Sequence, residues 1–321
     1  MNEVPIFSSA SLQGRSSLRR SGMPRVGIGY ALVDNCSSKE ACAAIVSHSK
    51  KGGRPAFVIT PNAQHIVLLA KDQRLRQIYD RADLVVPDGM SLVLAARLYG
   101  RSLQERVTGV DIFQSLCGIA AEENLSVFLL GGRPSSAELT AELLKGKFPN
   151  LQIDTYCPPL HFEKTAEGIR RTNEAIRATA PDILFVALGA PKQENWIYEH
   201  GLKLSVPVCM GVGGTFEIVA GIVPRAPKWM QNIGCEWLYR LCQEPRRMWR
   251  RYLIGNLEFA AIVFSQFIRR SFLDVFVRLI DKQTFAAELT ELVLFEEDRL
   301  SRLLNAAAAR NVAASHDSIA V

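Results

Sequence analysis

Several short apolar runs, AFVIT, LVV, SVFLL, DILFVAL and VPVCM, are separated from one another by stretches of helical periodicity. A strand that alternates apolar and polar residues buries one face, whereas a continuous apolar run fits a strand covered on both faces. Strands of that kind alternating with helices build a mainly parallel sheet with helices on its two sides. The pattern therefore predicts an α/β chain with a mainly parallel, Rossmann-like sheet. VGIGYAL, from Val26 to Leu32, reads as a first strand, and QIDTYC as a further one. SKEACAAIVSHSK reads as a helix capped by Ser37 or Ser38. NAQHIVLLAKD, QRLRQIYDRA, MSLVLAARLYG (stopped by Gly100) and GVDIFQSLCGIAAEEN follow as helices.

The character changes near Arg225. The segment from there onward is helical, aromatic and rich in arginine. The expected organisation is a disordered leader over residues 1–23 and an α/β core over 24–224. A basic helical appendage follows over 225–256, then a further helical extension over 257–310 and a disordered tail over 311–321. The 321 residues carry a net charge of +6, which suits an acidic partner: a phosphate-bearing substrate, a nucleic acid or an anionic membrane. The seven cysteines contain no C-x-x-C, so neither a disulfide framework nor a zinc site is indicated, and a reducing cytoplasm is expected. The leader lacks the apolar core of a signal peptide. The longest apolar stretch, Leu257 to Ile268, falls short of the roughly 18–20 residues of a membrane span.

Ligands of an open parallel sheet sit beyond the carboxyl ends of its strands. Thr60, Pro61 and Asn62 follow AFVI; Asp88 and Gly89 follow the run LVV and Pro87; Gly131, Gly132 and Arg133 follow SVFLL. Gly189, Ala190, Pro191, Lys192, Gln193 and Glu194 follow DILFVAL, and Gly211, Gly213, Gly214, Thr215 and Phe216 follow VPVCM. Any one of these is explained by turn chemistry, Asp88 included. Together they suggest a phosphate-bearing ligand, because glycine lets backbone approach it and N–H groups at a helix start bind phosphate. VGIGY lacks the third glycine of a dinucleotide fingerprint, and there is no P-loop, no G-x-S-x-G and no histidine cluster. His65 reads as a polar helix-face residue. There is no Asp-x-Asp to hold a divalent ion, so a departing diphosphate would be met by Arg, Lys and N–H groups. EPRRMWRRY supplies Arg246, Arg247, Arg250 and Arg251, interleaved with aromatic residues as at a membrane interface. A nucleic-acid surface and a plain solvated helix are the rival readings of that cluster.

TPNAQHI, VVPDGM, RVTGVDIF, FLLGGRP, PDILFVALGAPKQENWI, GVGGTFEIVAG and RAPKWMQNIGCEWLYRLCQEPRRMWRRY resemble, in order, the WecG/TagA/CpsF glycosyltransferase family. The resemblance covers about residues 25–256. It implies an inverting, metal-independent transfer of a sugar from a UDP-sugar to a polyprenyl-diphosphate-linked saccharide, for exopolysaccharide, capsule, teichoic acid or common antigen. It implies Asp88 as catalytic base, and Thr60, Asn62, Arg106 and Asp111 as substrate-binding residues. Gly131, Gly132, Gly189, Pro191, Lys192, Gln193, Glu194, Gly213, Gly214, Thr215 and Phe216 join that set. Arg246, Arg247, Arg250 and Arg251 are assigned to the leaving group and the membrane. No cofactor or metal is expected, and no nucleic acid. The expected partners are the UDP-sugar, the lipid-linked acceptor and an anionic membrane surface, with homo-oligomers allowed for. The expected location is cytoplasmic, peripheral to the inner face of the plasma membrane. The rival readings are a non-catalytic scaffold of polysaccharide assembly and an epimerase, whose Tyr-x-x-x-Lys is absent.

Overall fold

The computed structural model describes Leu18 and residues 22–279. The expected first strand over Val26–Leu32 is instead a hairpin of β1 (Arg25–Ile28) and β2 (Ala31–Asp34), antiparallel and outside the main sheet. Gly29, at φ +57°, provides the reversal that a side chain would resist. A Cβ there would also meet Ile66 at 2.6 Å. The hairpin is tied to the core through buried Asp34, which accepts from Arg25 Nε at 2.6 Å and from the Val85 N–H at 2.7 Å.

α1 (Ser38–Lys51) starts at the predicted cap, with Ser37 and Glu40 forming a reciprocal capping box. Then come β3 (Ala56–Ile59), α2 (Ala63–Lys71), α3 (Gln73–Arg81), β4 (Leu84–Val85), α4 (Met90–Leu98) and α5 (Gly109–Glu123). β5 (Ser126–Gly131), α6 (Ser136–Lys147), β6 (Gln152–Tyr156), α7 (Ala166–Thr179) and β7 (Ile183–Ala187) follow. α8 (Lys192–Glu199), β8 (Val208–Gly211) and α9 (Thr215–Val219) complete the alternation. The six strands order β4-β3-β8-β7-β5-β6, and every pairing is parallel.

The unbroken apolar runs are explained by two cores, one on each sheet face. Ala56 and Val58 of β3, with Ile183 and Phe185 of β7, pack against α1, α5, α6 and α9. Their neighbours Phe57, Ile59, Leu184 and Val186 pack against α2, α3, α4, α7 and α8. Successive side chains of a strand point to opposite faces, so a sheet covered twice needs apolar residues at every position.

Beyond the sheet come α10 (Lys228–Asn232), α11 (Glu236–Gln243), α12 (Pro245–Trp249), a π-helical turn (Arg250–Ile254) and α13 (Gly255–Leu279). One compact unit runs to Ser265, and a second begins at Gln266. Phe259 and Val263 of α13 are buried in the second core, and Tyr99 Oη donates to the Val263 carbonyl at 3.2 Å. The segment expected as an added extension therefore contributes core residues at its start. The expected leader (apart from Leu18 and residues 22–23), residues 280–310 of the expected extension and the tail lie outside the described residues. Among the described residues, no helix is long and apolar enough to cross a membrane.

Candidate functional site

β4 ends where Pro87 has no N–H to give to a ladder. The chain then crosses the carboxyl edge of the sheet and is fastened from both sides. Asp88 N–H donates to the Pro61 carbonyl at 2.9 Å, and Val107 N–H donates to the Pro87 carbonyl at 2.9 Å. The Asp88 side chain leaves this junction toward the start of α5, where Oδ1 accepts from Gly109 N–H at 2.9 Å. Asp88 keeps some solvent contact. Burial is the largest influence on its carboxyl and lifts it from 3.8 to about 6. The Gly109 N–H works against that lift, as do His65 and Arg106, while Glu236 adds to it. A carboxylate so placed is ionised at neutral pH yet far more basic than an ordinary one, as a general base requires.

Thr60 and Asn62 stand in the adjoining loop. Thr60 is buried and its hydroxyl donates to the Gly211 carbonyl at 3.1 Å, which joins the loops after β3 and β8. Asn62 caps α2, its Oδ1 accepting from Gln64 N–H at 3.1 Å. A Cβ on Gly89 would come within 3.5 Å of Asn62 Cβ, so the residue after Asp88 lies directly on Asn62. The strand-end expectation thus brings Thr60, Asn62 and Asp88 together.

Other expected site residues divide by burial. Gln193 and Glu194 are buried and bonded to one another at 2.9 Å, and Gln193 Oε1 accepts from Gly213 N–H at 2.9 Å. They hold α8 to the loop after β8. Lys192 beside them is exposed and lies 3.6 Å from Glu163. Pro191 follows a cis peptide bond. Thr215 and Phe216 are buried as well, Thr215 donating to the Val212 carbonyl at 2.7 Å and Phe216 packing on Phe113. Gly131 and Gly132 are hemmed in, by Leu188 and by Phe216, whereas Gly189 and Gly213 have open space before them. Gly214 is exposed, near Arg240.

Arg106 and Asp111 are both engaged with residues after 224, and those partners left no signal in the sequence. Arg106 donates to Glu236 at 3.1 Å and to Gln231 at 3.3 Å. Arg225 grips both oxygens of Asp111, at 2.6 and 2.9 Å, and reaches Thr108 at 3.3 Å. Burial would raise the Asp111 carboxyl, but the bonds from Arg225 and Thr108 outweigh it and hold it below the usual range. Arg133 adds a third tie, donating to Glu244 at 2.9 Å. Arg247 shares Glu244, Arg246 and Arg250 are exposed, Arg250 lies over Trp249, and Arg251 lies over Tyr252. Around them Trp229, Ile233, Leu238, Trp249, Leu253 and Leu257 present apolar surface to solvent.

The expectation that His65 lies on a polar helix face is corrected. It is 5% exposed, with its ring 3.1 Å from Asn62 Oδ1 and 3.6 Å from Glu194 of α8. Among the described residues, no group of three or more His, Cys, Asp or Glu side chains is disposed to hold a metal ion.

The family model for "Glycosyl transferase WecG/TagA/CpsF family" matches residues 26–272. The chain is also similar to the N-acetylglucosaminyldiphosphoundecaprenol N-acetyl-beta-D-mannosaminyltransferase of Bacillus spizizenii, 34% identical over 198 residues, covering 62% of this chain and 75% of that protein. The protein of the same name from Bacillus subtilis is 32% identical over 200 residues, with the same coverage.

Proposed function

The chain belongs to the WecG/TagA/CpsF glycosyl transferase family and is a hexosyltransferase, and from that premise we propose that it moves a sugar from a UDP-sugar to a polyprenyl-diphosphate-linked saccharide, with inversion and without a metal ion. The product would enter a bacterial cell-surface polysaccharide. The observation that carries this reading is Asp88, a carboxylate raised to about 6 at the junction of the sheet-edge loops. The names of the two relatives support the acceptor class.

An acceptor hydroxyl is a poor nucleophile until its proton is removed. Asp88 takes that proton as the oxygen attacks the anomeric carbon from the face opposite the nucleotide. The new C–O bond forms while the bond to the diphosphate breaks, and UDP leaves with the electron pair. Asn62 and Thr60 hold sugar hydroxyls. Gly189 and Gly213 leave room for the nucleotide to approach the backbone. The arginines of α12 and the π-helical turn offset the charge gathering on the diphosphate. The same arginines, with the exposed Trp229 and Trp249, rest on an anionic membrane surface.

The test is transfer from UDP-N-acetylmannosamine to a synthetic N-acetylglucosaminyl-diphosphate lipid, with the product anomer read by NMR. A product of inverted configuration supports the reading, and retention refutes inversion. No thermal shift with any UDP-sugar would favour a scaffold. Excess EDTA is expected to leave the rate unchanged; a loss restored by magnesium would overturn metal independence.

A further inference from the structure

The Asp88 carboxyl is held by a single hydrogen bond, and the turn that supplies it is gripped in its turn by Arg225. Gly109 N–H donates to Asp88 Oδ1 at 2.9 Å, and Oδ2 has no hydrogen-bond partner among the described residues. Gly109 opens α5, and Thr108 caps it. The Thr108 hydroxyl is 4% exposed as a residue and fully engaged. It donates to Asp111 Oδ2 at 2.5 Å and accepts from Asp111 N–H at 3.1 Å and from Arg225 at 3.3 Å. A hydroxyl has one proton to give and two lone pairs to offer, so nothing is left over. Arg225 also takes both oxygens of Asp111, at 2.6 and 2.9 Å.

A guanidinium on both oxygens of a carboxylate fixes orientation as well as charge. Here the fork closes on the first turn of a helix, whose N–H groups have no partner inside the helix. Gly109 N–H is one of these. Its aim depends on how that turn is held, and Arg225 and Asp111 hold it. Arg225 stands between α9 and α10, where the chain leaves the sheet for its helical segment. The seating of that segment is thereby connected to Asp88.

We infer that Arg225 and Asp111 are positioning residues, whose clamp on Thr108 sets the first turn of α5 so that Gly109 N–H holds one oxygen of Asp88 and leaves the other free for the acceptor hydroxyl. Neither residue touches substrate. The acceptor rests on the glycosyl-transfer reading above; the hold of the clamp on Asp88 does not.

Charge and position push in opposite directions, which makes the clamp testable. Asp88 is faced by His65 of α2, by Arg106 and by Glu236 of α11, besides the Gly109 N–H, and Arg225 also senses its charge. Asp111→Asn removes a negative charge from this neighbourhood. By charge alone, Asp88 would then ionise more easily and its midpoint would fall. A slackened turn instead weakens the Gly109 bond, which favours the ionised form, and the midpoint rises.

The Gly109 amide proton, followed by NMR on the full chain, reports the protonation of the carboxyl it donates to. It is expected to titrate with a midpoint of about 6 in the unaltered chain. Asp111→Asn is expected to move that midpoint upward, and so is Arg225→Lys, which keeps the charge and loses the fork. A midpoint that stays or falls in either variant overturns the inference. In transfer assays both variants are expected to lower kcat about tenfold to a hundredfold, the range for a slightly misplaced reacting group, with little change in KM. The acidic limb of kcat/KM moves up with the midpoint. A raised KM at normal kcat would make Asp111 a substrate ligand and overturn the clamp. In an Asp88→Asn background Arg225→Lys is expected to lower kcat less than about twofold, because residues that act through one another do not add. A full loss there overturns it too. Absence of transfer by the unaltered chain would sink the glycosyl-transfer reading, and the Gly109 titration would still decide the clamp.

Discussion

Replacing Asp88 by Asn is expected to lower kcat by about a hundredfold to ten-thousandfold, the usual worth of a general base, and at the same time to raise the melting temperature. The amide keeps the shape of the carboxyl and an oxygen for the Gly109 N–H. It cannot take a proton from an acceptor hydroxyl. The stability gain follows from the sign of the shift. Burial raises Asp88 from 3.8 to about 6, so folding favours its protonated form. Its stabilising contribution is complete below about 3.8 and is lost as the pH rises through about 6. Above that window the buried anion costs up to about 3 kcal/mol, on the order of 1–2 after allowing for its solvent contact. The uncharged amide removes that cost and lifts the melting temperature by a few degrees. In the unaltered chain kcat/KM is expected to fall about tenfold per pH unit below about 6. The residual rate of the Asn variant is expected to be flat there. Near-normal turnover of that variant would remove Asp88 as the base. Lost turnover with a lowered melting temperature would assign the loss to folding.

The fold was legible because it is written in local pattern. Phe57 and Val58 face opposite cores, and their being apolar together is what marks β3 as doubly covered. The hairpin was missed because VGIGYAL is apolar throughout, and only the left-handed turn at Gly29 divides it. Thr60, Asn62 and Asp88 were placed on one edge by a rule of position, since residues beyond parallel strands share it, and only the family resemblance set them apart from the other strand-end residues. The partners of Arg106 and Asp111 were not found. Arg106 and Glu236 are 130 residues apart, and an ion pair across such a distance leaves no spacing to read. His65 was misplaced for a related reason. Its turn of α2 has the same periodicity whether or not another element lies over it, and only tertiary packing decides that.

Changing Arg246, Arg247, Arg250 and Arg251 together to Gln is expected to cut turnover by at least about a hundredfold, the loss found when donors to a developing anion are removed. These side chains hang from a segment bolted to the sheet-edge loops. Arg225 holds Asp111, Arg106 holds Glu236 and Gln231, and Arg133 holds Glu244. A cation on α12, Arg247 on Glu244, is thereby kept beside the loop after β5, and guanidinium is the side chain suited to gripping phosphate oxygens in pairs. Removing everything from Arg225 onward would be a poorer experiment. It would strip Phe259 and Val263 from the core, at about 1.5–3 kcal/mol each, and leave Arg106 and Asp111 without their partners. The Gln variant avoids this. Exposed pairs such as Arg247 with Glu244 are worth about 0–1 kcal/mol, so its melting temperature is expected to move little. Two acceptors then separate the roles of the four cations. A loss on a short-chain, water-soluble acceptor assigns them to the departing diphosphate, because no membrane takes part. A loss only with a long-chain acceptor in anionic vesicles assigns them to membrane docking. Full rates on both would deny them any part in transfer, and the charge on the leaving UDP would have to be met by backbone N–H groups of the glycine loops instead.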